Sequence, residues 1–410
     1  MKKIAIIGGG PAGIMAAIGA SRSGGQVSLF EKNEKLGKKL YITGKGRCNI
    51  SNAKSMSQIM SHVKTNPRFL HSAFSSLTNQ DMLDLLASVG LKTKVERGDR
   101  IFPVSDKSSD VIKAFEKLLQ KELIDLRLNS KIKSIKYEAD KFILLTNDVE
   151  MTFDALILAT GGMSYPATGS DGDGYIFAKK LGHNIISPKP SLVGILLDDD
   201  FINQLNGVSL KNINLEFNIA KKKYRYFGEL VFTRKGISGP IVLQASADIN
   251  KSQSDVKNLC LDLKASLNEE QLDARLLRDI KSNSNKYISN ILELITIRAM
   301  IEPILTQANV DPKTLGHQIT KKERLSLIRT LKNFQLTYNG LDDIKYAIVT
   351  SGGVSTKEIN PSTLESKLID HLYFAGELID VDALTGGYNL QIAYSTGYLA
   401  GISAAGGIND

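Results

Sequence analysis

The sequence predicts an α/β fold: a Rossmann-like parallel-sheet domain, interrupted by an antiparallel β insert that itself carries a helical part. Three observations predict it. Residues 4–31 read strand, glycine turn, small-residue helix, strand, acid. Residues 154–160, DALILAT, form a continuous apolar strand that runs into glycines. Between about 190 and 344 the apolar residues change to short alternating runs and then to helical spacing.

The first element pair carries the most information. IAII is a strand, Gly8, Gly10 and Gly13 make a G-x-G-x-x-G turn, VSLF is a second strand, and Glu31 ends it, 18 positions past Gly13. Each part has a use in holding a dinucleotide. Gly8 permits the tight turn, Gly10 lets backbone approach a pyrophosphate, and Gly13 lets the helix sit against the strand. The helix N-terminus offers free N–H groups to phosphate. Glu31 can accept from ribose hydroxyls and would repel a 2′-phosphate, which disfavours NADP at this position. A glycine turn alone is a weak signal; the flanking strands, helix and acid make this one specific.

Later elements follow in order. Helices are expected near 56–63, 66–76, 79–88 and 109–122, and a hairpin over 131–160 that ends in the buried strand DALILAT. A turn-rich loop, GGMSYPATGSDGDG, leads to the helix YIFAKKLG. Residues 191–264 alternate as in an antiparallel sheet or small barrel. Residues 266–336 are expected to be helical, with Ser266/Glu269 and Thr320/Glu323 as capping boxes. Strand character resumes at 347–350 and 372–377, and a last helix runs from near Gly387 to about 400. The expected division is 1–190 and 345–410 for the nucleotide-binding domain, 191–265 for the β insert, and 266–344 for the helical insert.

Bulk properties bound the class. The chain has 410 residues, 42% hydrophobic and 23% charged, with 52 basic and 43 acidic side chains and a net charge of +9. The apolar runs are too short to span a bilayer, and the triple glycine cuts short the apolar start that a signal peptide needs. Two cysteines without a C-x-x-C exclude dithiol exchange and suit a reducing cytoplasm. The positive surplus suits an anionic cofactor. It also suits nucleic acid, but no aromatic-interleaved basic module accompanies it. None of the five histidines has metal-ligand spacing, so no metal is expected.

Three further segments carry chemistry. In LGKKLYITGKGRCNISN, Gly37, Gly44 and Gly46 allow close approach to a ligand, and Lys38, Lys39, Lys45 and Arg47 can neutralise a pyrophosphate. Asn49 offers a donor and an acceptor. Cys48, between Arg47 and Asn49, is expected in the cofactor-binding loop as a small buried side chain rather than a nucleophile. At the end of DALILAT, Ala159, Thr160 and Gly161 give a second place for backbone to pass under a dinucleotide. In FAGELIDVDALTGGYNLQIAYSTG, Gly376, Glu377 and Asp380 follow a strand, and Gly387 heads a helix that carries Asn389 and Gln391. A helix N-terminus there would favour the reduced form of a bound flavin. Plain alternatives exist for all three: a solvated basic loop, a long turn, and a glycine turn before a core helix.

Together these motifs, IIGGGPAG with Glu31, GKKLYITGKGRCNISN, LATGGMSYPATGSDGDGY, GELVFTRKGISGP, and TSGGV followed by GELIDVDALTGGYNLQIAYSTG, resemble the BaiN/YhiN-like (aminoacetone oxidase) family of FAD-binding flavoproteins. The resemblance covers nearly the whole chain. It implies an FAD-binding Rossmann-like domain interrupted by a β-barrel with a helical subdomain, bound FAD, and redox activity. It implies that Gly10, Ala12, Glu31, Lys32, Arg47, Asn49, Ala159, Gly376, Glu377, Asn389 and Gln391 surround the cofactor. The segment Phe232–Arg234 is expected either near the flavin or as plain barrel structure.

The expectation is thus an FAD-dependent oxidoreductase that moves hydride through flavin N5 to or from a small molecule. With no second G-x-G-x-x-G, NAD(P)H would bind transiently if used. The alternatives are an FAD-dependent nucleic-acid-modifying enzyme and a flavin-binding sensor without turnover. The sequence names no catalytic acid or base; Tyr41, Tyr165 and Tyr388 are candidates by location in the motifs alone.

Overall fold

The computed structural model describes residues 1–252 and 254–407. The chain divides into two compact units, residues 1–190 with 344–410, and residues 191–343.

The first unit is built on a five-stranded parallel sheet. Its elements are β1 (Lys3–Ile7), α1 (Pro11–Arg22), β2 (Gln26–Phe30), α2 (Ser108–Lys121), β3 (Asp125–Arg127), β4 (Ala155–Leu158), β5 (Leu372–Phe374) and α3 (Tyr388–Ala405). The strand order is β5-β4-β1-β2-β3. Register brings Ile7 level with both Phe30 and Leu158, and Leu158 level with Phe374. All of these strands therefore end at one edge. β4 and, past the exposed Lys3, β1 are apolar and buried, as strands covered on both faces must be.

The helix α1 is also buried on nearly all sides, and α3 lies against it. Their backbones almost touch: a Cβ on Gly397 would lie 2.1 Å from the Ala12 carbonyl oxygen, and one on Gly401 2.1 Å from that of Ala16. Side-chain-free positions one turn apart let the last helix seat directly on the first.

This unit also holds two small antiparallel sheets of three strands each. One joins Ser51–Asn52, Arg100–Pro103 and Thr93–Glu96. The other joins Ile132–Glu138, Lys141–Thr146 and Val149–Phe153, where the sequence suggests a hairpin. The third strand, VEMTF, is mostly exposed and so lacks an apolar signature.

The second unit holds a seven-stranded antiparallel sheet whose strands include Ser209–Ile219, Lys222–Thr233 and Val256–Asp262. Phe217, Phe232 and Leu261 fill its core together with the apolar faces of the helices Glu269–Ser282 and Lys321–Lys332. Phe232 is thus a packing residue of this unit. Thr320 caps its helix with Glu323, as expected. The expected Ser266/Glu269 box is not formed; Asn268 is the cap, in a reciprocal box with Gln271. Asn268-x-x-Gln271 satisfies the same donors, and Ser266 lies two residues before the cap. Among the described residues no helix is long and apolar enough to cross a membrane.

Candidate functional site

The carboxyl edge of the parallel sheet gathers four segments that are far apart in sequence. After β1, Gly8 sits at φ +114° and donates its N–H to the Phe30 carbonyl at 2.8 Å. A Cβ on Gly13 would lie 1.8 Å from the Gly8 carbonyl oxygen, whereas one on Gly10 would meet nothing within 4 Å. Gly13 is therefore required for packing, and Gly10 borders open space. No side chain caps α1, and its first residue is Pro11. The N–H groups of Ala12 and Gly13 have no intrahelical acceptor and point out of the helix end, where an anion can bind.

After β2, the Glu31 carboxylate is buried, at 8% exposure. One oxygen accepts from the Gly9 N–H at 2.7 Å, and the other from the Asn33 N–H at 2.8 Å and its Nδ2 at 2.7 Å. A carboxylate has roughly four acceptor positions, so Glu31 keeps capacity for a ligand hydroxyl. Its neighbour Lys32 turns to Asp171 at 2.6 Å and Asp173 at 3.1 Å.

After β4, Ala159 donates to the Ile7 carbonyl at 2.9 Å and Gly161 takes φ +77°. Between them the Thr160 hydroxyl is buried with no partner among the described residues. An orphaned polar atom at this edge fits a site that a polar group completes.

After β5 come Gly376 and Glu377. Glu377 accepts from the Thr350 N–H at 2.8 Å and the Ser164 hydroxyl at 3.0 Å, and pairs with Lys39 at 2.6 Å. Lys39, Ser164 and Glu377 thus tie the 38–42 helix, the 161–174 loop and the end of β5 into one cluster. Asp380 is bonded by the Asn66 side chain at 3.1 Å.

Several expected ligand contacts are occupied otherwise. The Arg47 guanidinium is committed to Glu96 at 2.5 Å and Asp106 at 2.6 Å, and lies 4.2 Å above the Phe102 ring. Arg47 holds the Glu96 carboxyl below its usual range, and Lys94 with Arg47 does the same for Asp106. Arg47 therefore pins the glycine-lysine loop to the 93–103 hairpin. The amide of Asn389 bonds Ala383 N–H at 2.9 Å and the carbonyls of Ala383 and Leu384 at 2.8 and 3.2 Å, clamping the turn before α3. Gln391 is fully buried and bonded to Ser51 and Leu77. Cys48 is buried at φ +62°, and burial pushes its thiol up to about 12. Gly46 borders open space, and Asn49 lies beside Cys48 in the same loop.

Gly387, at φ +93°, heads α3 without a side-chain cap, against the backbone of Ser51. Tyr388 follows it. Sequence reasoning missed what surrounds this tyrosine: the His62 ring stacks on it with centroids 4.4 Å apart, and Lys54 Nζ reaches its hydroxyl at 3.4 Å. The missed partners lie more than 300 positions away, where no local spacing can signal them. Among the described residues no group of histidine, cysteine and carboxylate side chains is arranged to hold a metal ion.

Comparison with known proteins places this geometry. Residues 2–403 match the family described as HI0933-like protein Rossmann domain. The chain is 32% identical over 418 residues to a 3-dehydro-bile acid delta(4,6)-reductase of Clostridium scindens, covering 99% of each protein. It is 29% identical over 404 residues to a ribosomal RNA dihydrouridine synthase of Haemophilus influenzae, covering 97% of each. The fold is similar to that of a 3-ketosteroid delta1-dehydrogenase from Sterolibacterium denitrificans, with a TM-score of 0.54 at 12% identity over the full length of both chains. The chain belongs to the HI0933-like family of Rossmann-domain flavoproteins and is an FAD-dependent oxidoreductase.

Proposed function

We propose that this protein reduces a carbon–carbon double bond conjugated to a carbonyl in a small molecule, with FAD held along the carboxyl edge of the parallel sheet. The observation that carries the reading is the convergence of Gly10, Glu31, Thr160 and Glu377 on that one edge. The open face at Gly10 and the free N–H groups of Ala12 and Gly13 suit a pyrophosphate. The buried Glu31 suits ribose hydroxyls, and the orphaned Thr160 hydroxyl suits a polar cofactor atom. Lys32, Arg47, Asn389 and Gln391 act on the site through the loops they fix, because their polar groups are already bonded. Gly387 and the uncapped start of α3 suit the electron-rich edge of the ring system.

When bound, FAD supplies hydride exchange at N5. The chain's part is to position both reactants, exclude water and deliver a proton. Two relatives support the substrate class through their names. A delta(4,6)-reductase and a dihydrouridine synthase both saturate a double bond conjugated to a carbonyl. Reduced nicotinamide is the donor in this reading and binds transiently, since Glu31 belongs to the resident cofactor. Two free buried cysteines suit a reducing compartment, and this reading takes the cytoplasm as its setting.

The test is an anaerobic single turnover. FAD-loaded protein, reduced stoichiometrically with dithionite, is mixed with 2-cyclohexenone or a 4-en-3-one steroid, and the return of oxidised flavin absorbance is followed. Return with formation of the saturated ketone supports the reading; flavin that stays reduced with both enones counts against it.

A second reading is reduction of a uracil base in RNA. The net charge of +9 and the likeness to ribosomal RNA dihydrouridine synthases favour it. It requires RNA binding that weakens steeply with salt. No RNA binding at low salt would remove it.

A further inference from the structure

Among the described residues the Tyr388 hydroxyl has one hydrogen-bond neighbour, and that neighbour cannot take its proton. The side chain is 4% exposed. Its oxygen is approached by Lys54 Nζ at 3.4 Å. An ammonium group has three donors and no acceptor, so in that contact the tyrosine oxygen accepts. The hydrogen of the Tyr388 hydroxyl has no acceptor among the described residues.

The surrounding groups hold this arrangement. His62 stacks on the Tyr388 ring, with an interplanar angle of 26°. Its Nδ1 bonds the Gln58 carbonyl at 2.7 Å and must donate there, because a carbonyl only accepts. That leaves Nε2 as an acceptor facing Lys54 Nζ at 3.4 Å. Lys54 Nζ thereby faces two acceptors at the same distance, His62 Nε2 and the phenol oxygen. The backbone places the cluster at the head of α3. Asn52 Nδ2 donates to the Gly386 carbonyl at 3.0 Å, and the Lys64 N–H donates to the Asp382 carbonyl at 2.7 Å. A phenol O–H with no acceptor among the described residues is left to donate to a ligand or to water, and such groups mark places where a ligand completes the bonding.

We infer that Tyr388 is the proton donor of the reaction, with Lys54 and His62 as positioning residues. The inference rests on the double-bond reduction proposed above. In that reaction the substrate's β-carbon would gain the hydride that bound, reduced FAD would supply, and the π pair would move to the α-carbon and carbonyl as an enolate. The Tyr388 O–H bond breaks and its proton bonds the α-carbon. The phenolate takes a proton from the Lys54 ammonium, and the partly exposed Lys54 is reprotonated by water. The substrate gains one hydride and one proton, so electrons and atoms balance.

The experiment compares wild type, Tyr388→Phe, Lys54→Gln and Lys54→Arg. The first measurement is the melting temperature of the flavin-free proteins. The second is equilibrium binding of 2-cyclohexenone to the oxidised, FAD-loaded proteins. The third is the single-turnover rate of enone reduction after dithionite reduction. A donor role predicts that Tyr388→Phe melts within about 2 °C of wild type, because it removes an unsatisfied hydroxyl. It predicts enone binding within about threefold and reduction slowed by about 100-fold or more. Lys54→Gln slows reduction by about tenfold and Lys54→Arg restores it. A Tyr388→Phe protein that reduces the enone within threefold of wild type overturns the inference. So does one that melts far below wild type, which would make the hydroxyl structural. If wild type itself leaves enones unreduced, the proposed function fails instead, and the melting comparison still decides whether the Tyr388 hydroxyl is structural.

Discussion

Replacing Gly10 and Gly13 separately with alanine gives opposite results, and the structure fixes which is which. A methyl at Gly13 would sit 1.8 Å from the Gly8 carbonyl oxygen, and the backbone there has no room to yield. Overpacking of this kind costs about 1–3 kcal/mol. At about 2–4 °C per kcal/mol for a unit of this size, Gly13→Ala should melt roughly 2–12 °C below wild type even without cofactor. A methyl at Gly10 meets no protein atom within 4 Å, so Gly10→Ala should cost under about 1 kcal/mol, as expected for alanine at a helix N-cap. It does, however, fill the open face beside the free N–H groups of α1. Losing one charge-assisted contact there is worth about 1.5–3 kcal/mol, or about 10- to 100-fold in FAD affinity. The assay is a thermal melt of each flavin-free protein and a calorimetric FAD titration. A Gly10→Ala protein that binds FAD as wild type does, or that melts as low as Gly13→Ala, would refute the assignment.

Three other outcomes follow. Glu31→Gln keeps the side-chain shape but loses the charge that accepts from Gly9 and Asn33, so FAD should bind about tenfold more weakly by the same titration. Burial pushes the Cys48 and Cys260 thiols up to about 12 and about 11, so the native protein should leave a thiol reagent unreacted at pH 8 and release two thiols on unfolding. His183 lies edge-on to Phe374 and bonds Ser366 at 3.0 Å, and burial lowers its pKa from the ordinary 6.5. The unfolded chain therefore takes up this proton first. Urea unfolding should show stability falling as pH drops below about 6.5, and His183→Gln should flatten that dependence.

Much of the fold was legible because local chemistry dictates it. The strand-turn-helix-strand unit announces itself through Gly8, Gly13 and the apolar strands. The helix at Lys321–Lys332 announces itself through Thr320 and Glu323. The cap at Asn268 was misread as Ser266 because two polar residues near a helix start offer the same signal, and only the backbone path chooses between them. Side-chain partners across long separations were not legible. Arg47 read as a phosphate ligand, yet Glu96 and Asp106 reach it once the 93–103 hairpin folds beside its loop. Asn389 and Gln391 read as cofactor amides, yet one clamps the Ala383 turn and the other joins Ser51 to Leu77. His62 had no motif at all, because its meaning comes from Tyr388.

A crystal structure of the protein grown with FAD tests the central claim most directly. The account predicts the diphosphate against the Ala12 and Gly13 N–H groups, a ribose on Glu31, and the ring system at the Gly387 head of α3. A cofactor bound elsewhere, or one whose two ends do not reach both Glu31 and Gly387, would contradict it.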